Sequence, residues 1–236
     1  GEGNLIKKTI LEYYNKGYEM DENISQKINN AFYYNTEGYR NGKLKRETIV
    51  SGNNVPLRKR EFSYGKSELG YVWFPKCFPT HLPSKYLSVA KYDLAILRKP
   101  IEWCYVSVIR ESSYADGVER VMTNTNYSYN QKNLQVSRKI MTNTVGKQTS
   151  QTYYWYPADG KSVGASYLLN KHCVGMLTGV DSYRNGILVE GHKYEFTQKT
   201  GFPVVSKCCT VLPDGTNVAV AMVDVYDEHG NILQYT

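Results

Sequence analysis

The chain repeats itself. Tyr71-Val72-Trp73-Phe74-Pro75 returns as Tyr153-Tyr154-Trp155-Tyr156-Pro157, and the segment downstream of each copy also recurs. Tyr86-Leu87, Lys91, Ala95-Ile96-Leu97 and Ile101-Glu102 align, with a small slip, with Tyr167-Leu168, Lys171, Gly175-Met176-Leu177 and Val180-Asp181. Upstream of each copy stands a tyrosine pair and a turn, Tyr33-Tyr34-Asn35-Thr36-Glu37-Gly38 and then Tyr127-Ser128-Tyr129-Asn130-Gln131-Lys132-Asn133. A third start is visible at Tyr194-Glu195-Phe196. Self-similarity of this kind predicts stacked supersecondary units that share a core with their neighbours. Residues 1–236 therefore read as one continuous array, with approximate units at 31–110, 111–193 and an incomplete one at 194–236. An array of this form is expected to be part of a larger protein.

Tyrosine sets the class of those units: the chain has 22 Tyr against 6 Phe and 3 Trp. A flat ring packs on a pleated surface while its hydroxyl stays wet, so Tyr and Thr in alternating polar contexts favour strands. Turn signals recur at short intervals, among them Asn41-Gly42, Ser51-Gly52-Asn53-Asn54, Asp116-Gly117, Val145-Gly146, Asn185-Gly186 and Pro213-Asp214-Gly215. These residues tolerate the positive φ that tight hairpins require. The expected fold is all-β, an antiparallel β-hairpin repeat array forming an extended meander, with two short helices. Asn185-Gly186 is the clearest two-residue hairpin, and Val218 to Tyr235 reads as a hairpin at the end of an interrupted array.

The helices are expected at residues 85–97 and 163–177, at equivalent places in the two copies. Leu87, Ala90, Leu94 and Leu97 share one helical face, and Ser84 and Ser162 are candidate caps. A sheet with one apolar face needs a cover, so both helices are expected on the same side of it.

Near the end of the chain, Tyr226-Asp227-Glu228-His229-Gly230-Asn231-Ile232-Leu233 resembles the Tyr-Asp-x-x-Gly repeat of the Rhs/YD-repeat family. Tyr34-Asn35-Thr36-Glu37-Gly38 keeps the glycine, and Tyr129-Asn130-Gln131-Lys132-Asn133 puts asparagine, which also tolerates left-handed backbone, in its place. Physically, a strand ends on Tyr, Asp or Asn bonds its own backbone, and Gly reverses the chain. The longer unit is similar to large secreted or surface Rhs-like proteins of the Bacteroidetes. The resemblance implies a ribbon of hairpins from an extracellular or outer-surface chain, with the remaining repeats of the parent as partners. It implies no catalysis. The core element and self-cleavage site of the toxin-bearing members have no counterpart in these residues.

The remaining chemistry is sparse. Five cysteines, Cys77, Cys104, Cys173, Cys208 and Cys209, lack metal spacing and form no disulfide framework, although one bridge fits the count. His172-Cys173 lacks a third orienting group, and neighbouring helix side chains diverge, so a packed Cys beside a surface His is expected. Gly186 and Gly191 lack the lysine and helix of a phosphate loop. No cofactor, no metal site and no catalytic residue is expected. The net charge of +7 and the runs 43–46 and 57–61 raise nucleic acid as a partner, but no nucleic-acid motif accompanies them, and strand lysines also guard sheet edges. Attraction to an anionic polysaccharide or cell envelope uses the same charges. No apolar run approaches the roughly 20 residues of a membrane span.

These features together read as a non-enzymatic scaffold of hairpins. The alternative is a carbohydrate-binding module whose recurring rings, Trp73, Phe74, Trp155 and Tyr156, stack on a cell-surface glycan. A glycoside hydrolase with unrecognised carboxylates ranks below both. Recurrence favours Trp73 and Trp155 as largely buried plugs, because each copy must fill the same hole.

Overall fold

The computed structural model describes residues 7–15, 40–79, 92–144, 149–199, 201–227, 229 and 231–236, with the backbone alone described for 71–79 and 92–100. It is nearly all antiparallel sheet. The strands are β1 (Lys7–Tyr13), β2 (Leu44–Ser51), β3 (Pro56–Pro79), β4 (Tyr92–Ala115), β5 (Val118–Tyr129) and β6 (Val136–Asn143). They continue as β7 (Thr149–Trp155), β8 (Gly179–Arg184), β9 (Ile187–Lys199), β10 (Phe202–Val211), β11 (Asn217–Tyr226) and β12 (Ile232–Tyr235). Between β7 and β8 lie a 3-10 turn, Pro157–Asp159, and one short helix, α1 (Ala165–Asn170). The order of strands in the sheet is their order in the sequence.

The turn chemistry explains that meander. Asn185 and Gly186 take φ of 50° and 84°, and Arg184 pairs with Ile187, so the two residues form a primed hairpin turn. Asp116 and Gly117 repeat the geometry between Ala115 and Val118. At the last turn Asp227 Oδ1 accepts the backbone N–H groups of His229 and Asn231 at 2.9 and 2.7 Å, the local Asp-to-backbone bonding expected there. The β5–β6 turn departs from expectation. Asn130 bonds the Lys132 amide, but Leu134, not Asn133, takes the left-handed φ, at 59°. Asn133 instead bonds the Gln135 amide and donates to Val174 O.

The helix expectations need correction. Residues 92–97 are strand, part of β4, so a helix over 85–97 is excluded there; residues 85–91, Ser84, His81 and the Tyr33-Tyr34 turn lie outside the described residues. Residues 163–177 do hold a helix, but only six residues long. Its N-cap is Gly164, and Ser162 makes no cap; the Ser162 hydroxyl bonds Tyr194 O instead. The helix closes on His172 at φ 57°, with His172 N–H to Leu169 O and Cys173 N–H to Leu168 O, a Schellman pattern. That backbone role accounts for His172 standing exposed beside a half-buried Cys173.

The helix packs against β9 and β10, and the ends of its connection also join the sheet by main-chain bonds. Tyr194 N–H donates to Thr178 O and Phe196 N–H to Val163 O, at 3.0 Å each. These are main-chain bonds from β9 beyond the point where β8 begins, so residues 163 and 178 continue the sheet in its own plane. Here the core is densest: Leu168 is fully buried, and Tyr156, Pro157, Ala165, Thr178 and Phe196 are buried with it. Elsewhere most strand residues are half-exposed, and described elements pack chiefly on their sequence neighbours. There the described strands are held chiefly by cross-strand side-chain pairs.

The described residues of Gly1–Glu12, Lys45–Ser63 and Ser107–Thr236 form one compact unit, and those of Tyr13–Leu44 and Tyr64–Val106 another. In the second, Tyr14 meets Tyr64 edge-on at 6.0 Å, Tyr64 donates to Leu44 O, and Lys66 pairs with Glu102 at 2.7 Å. Cys104 has its thiol pushed up, chiefly by burial. In the first unit, Arg46, Arg58, Lys59 and Arg60 of the basic runs pair with carboxylates on both faces of β3. On one face Arg46 bonds Glu12 and Glu61 while Lys59 bonds Glu61; on the other Arg58 and Arg60 share Glu111 and Arg60 reaches Glu47.

That ladder has a pH signature. Lys59 first, then Arg46, hold the Glu61 carboxyl below its ordinary range against the opposing effect of burial. A depressed folded pKa contributes stability above the unfolded value of about 4.3, which is lost as pH falls through the folded one. Glu61→Gln is expected to cost about 0.5–1 kcal/mol at pH 7, as for partly exposed pairs, and much less at pH 3. Urea unfolding at the two pH values measures both.

Candidate ligand groove

Strands β7 and β8 pair Gln151 with Tyr183, Tyr153 with Asp181 and Trp155 with Gly179. Alternation puts all six on one face of the sheet. β6 adds Arg138 opposite Tyr153, and β9 adds Gly191 opposite Asp181. The result is an open groove of about 380 Å³ lined by Tyr153, Trp155, Lys161, Asp181 and Tyr183, with Gln151 and Gly186 at its end.

Each ring is fixed by more than packing. Tyr153 and Trp155 lie parallel, 7° apart with centroids 5.9 Å apart, and Tyr183 meets Tyr153 edge-on at 5.6 Å. The Arg138 guanidinium lies 5.1 Å from the Tyr153 ring and donates to Gln151 Oε1, which also accepts the Tyr153 hydroxyl. Trp155 Nε1 donates to Asp181 Oδ2 at 2.7 Å, a short charge-assisted bond. The Lys161 ammonium sits over the indole, 3.2 Å from its centroid. Burial first, then the Asp181 charge, pushes the Tyr183 hydroxyl up.

Two glycines stand behind the indole and the carboxylate. A Cβ on Gly179 falls 2.9 Å from His192 O and 3.3 Å from Trp155 Cδ1; one on Gly191 falls 2.8 Å from both Asp181 Oδ1 and Val211 Cβ. Any side chain there displaces the indole or the carboxylate. A smaller hollow of about 110 Å³ adjoins the groove through Lys161 and includes Lys193, whose ammonium donates to Asn217 Oδ1 at 3.2 Å.

Of the ring residues expected to act together, Tyr156 is core: it is 5 % exposed, and its hydroxyl donates to Val136 O. Trp155 is half-buried at the groove rather than largely buried, because its indole N–H and one ring face are turned to polar groups. The side chains of Trp73, Phe74 and Cys77 lie outside the described part of the structure. Sequence reasoning missed Lys161, Gln151 and Tyr183, which no repeat marked; Asp181 and Gly179 stood in the recurring segment without a role. Cys104, Cys173, Cys208 and Cys209 are free thiols, with Cys209 buried and Cys208 half-buried across a bulge. Among the described residues no group of three His, Cys, Asp or Glu could hold a metal ion, and no helix is long and apolar enough to cross a membrane.

No protein-family model matches the chain, and no curated protein matches it.

Proposed function

We propose that this chain is a non-enzymatic scaffold segment of the YD-repeat kind, from a secreted or cell-surface bacterial protein, in which successive hairpins extend one sheet. The observation that carries the reading is the identity of strand order and chain order, with neighbours joined mainly by hairpins. The Asp227-centred turn supports the family resemblance, since the aspartate performs there the backbone bonding the motif requires. Further repeats of the parent chain are the expected partners of β12, whose Ile232, Leu233 and Tyr235 are exposed.

A ribbon of this kind is stabilised by nearest-neighbour terms, so removing its last hairpin should leave distant strands intact. Deletion of residues 212–236 is expected to preserve far-UV circular dichroism per residue and amide protection in β5 to β8. Loss of protection throughout those strands makes the protein a cooperative compact domain and overturns the scaffold reading. Surface placement is tested on intact cells making the parent protein: antibody to residues 107–236 should label them, and labelling only after lysis overturns it.

A further inference from the structure

We propose that the β7–β8 groove binds a carboxylate-bearing pyranose, a uronic acid residue of an acidic polysaccharide, and that Lys161 is the group it displaces from Trp155. The inference goes beyond the scaffold reading and stands or falls separately from it.

The groove is polar in a definite direction. At one end is Lys161, an exposed side chain whose ammonium covers a face of the half-buried indole. Deeper in stands Asp181, aligned by the Trp155 N–H and lodged in the space left by Gly191. A sugar ring offers C–H groups to an indole face, and its hydroxyls donate to a carboxylate such as Asp181. A neutral sugar must first move a cation off the ring and leave it without its π partner. A uronate gives that cation a carboxylate in return, so the ammonium swings from the indole to the ligand as the pyranose takes its place. The hydroxyl-bearing edge is then directed to Asp181, because a carboxylate there meets like charge.

Two further observations favour an anionic oligomer. Lys193 flanks the adjoining hollow and donates to the neutral Asn217 amide, while Glu195 of the same hollow is paired with Lys207, so a cation remains available past Lys161. Arg46, Arg58, Lys59 and Arg60 of β2 and β3 are matched by carboxylates, whereas none of the ion pairs found among the described residues involves Lys161 or Lys193. Charge complementarity is therefore available at the groove and spent at the ladder.

The experiment is fluorescence titration of the full chain with tetragalacturonate, with cellotetraose as the neutral probe and polyglutamate as the charge-only probe. The expected result is saturable binding of tetragalacturonate with a change in indole emission, at least tenfold weaker binding of cellotetraose, and no competition by polyglutamate. Trp155→Phe should abolish the emission change, and Lys161→Met should weaken tetragalacturonate at least tenfold while leaving cellotetraose unchanged or tighter. Lys161 is exposed, so that variant keeps the fold; circular dichroism and melting temperature check both variants. Equal binding of the two oligosaccharides, unaltered tetragalacturonate affinity in Lys161→Met, effective competition by polyglutamate, or no binding at all each overturns the proposal.

Discussion

Gly164→Ala is expected to lose about 4 kcal/mol or more of stability, an effect at the extreme of single substitutions. Two causes add. Gly164 holds φ of 76°, where a residue with a side chain is strained by roughly 1–3 kcal/mol. A Cβ at that position also falls 2.0 Å from Phe196 O and 2.7 Å from Phe196 C, and these are backbone atoms of β9 with no freedom to rotate aside. The only relief is to lift residues 163–164 from β9, which breaks the Phe196 N–H bond to Val163 O. Urea unfolding measures the cost. Hydrogen exchange localises it: the Phe196 amide should lose protection first, and wild-type protection there in the variant refutes the docking of residues 163–164 on β9.

Leu168→Ala should come next at about 3–4 kcal/mol, within the range for a large side chain removed from a full burial site. Leu168 is 0 % exposed on the one helix of the described chain. The helix packs against the 3-10 turn, β9 and β10, all fixed by main-chain bonds, so collapse around the cavity is limited. Leu168→Met, nearly equal in volume, should cost less than about 1.5 kcal/mol. With Gly164→Ala the loss should be less than additive, since a lifted connection has already exposed Leu168.

The class of fold was legible because hairpins are local. Asn185-Gly186 and Asp116-Gly117 specify their turns from two residues each, and Tyr226-Asp227 carries the capping carboxylate in its own motif. Residues 92–97 failed for the complementary reason. Leu94, Ala95, Ile96 and Leu97 suit a buried strand as well as a helical face, and short apolar runs do not separate the two by periodicity. Pairing within the sheet decided it. The connection at 163–177 was legible, but its main-chain bonds to β9 were not, because which bare amides of β9 need partners depends on how far β8 extends. The groove was the least legible part. Trp155 advertised itself by recurrence, but its meaning lies in Asp181, paired across from Tyr153, and in Lys161, brought back over the ring by the 3-10 turn. Neither relation has a sequence spacing that signals it. Leu134 at positive φ shows the same limit, since nothing in a leucine announces left-handed backbone.

Strand order equal to chain order also bears on how the molecule is made. In sandwiches and barrels, strands far apart in sequence must find one another before any contact rewards the search, and all-β chains fold slowly for that reason. Here each strand meets its partner as soon as the next one is synthesised. The sheet can grow from one end like a closing zip, although the β7–β8 connection has to wait for β9 before its bare carbonyls are matched. A chain built this way can take shape strand by strand, each hairpin adding to the edge left by the one before it.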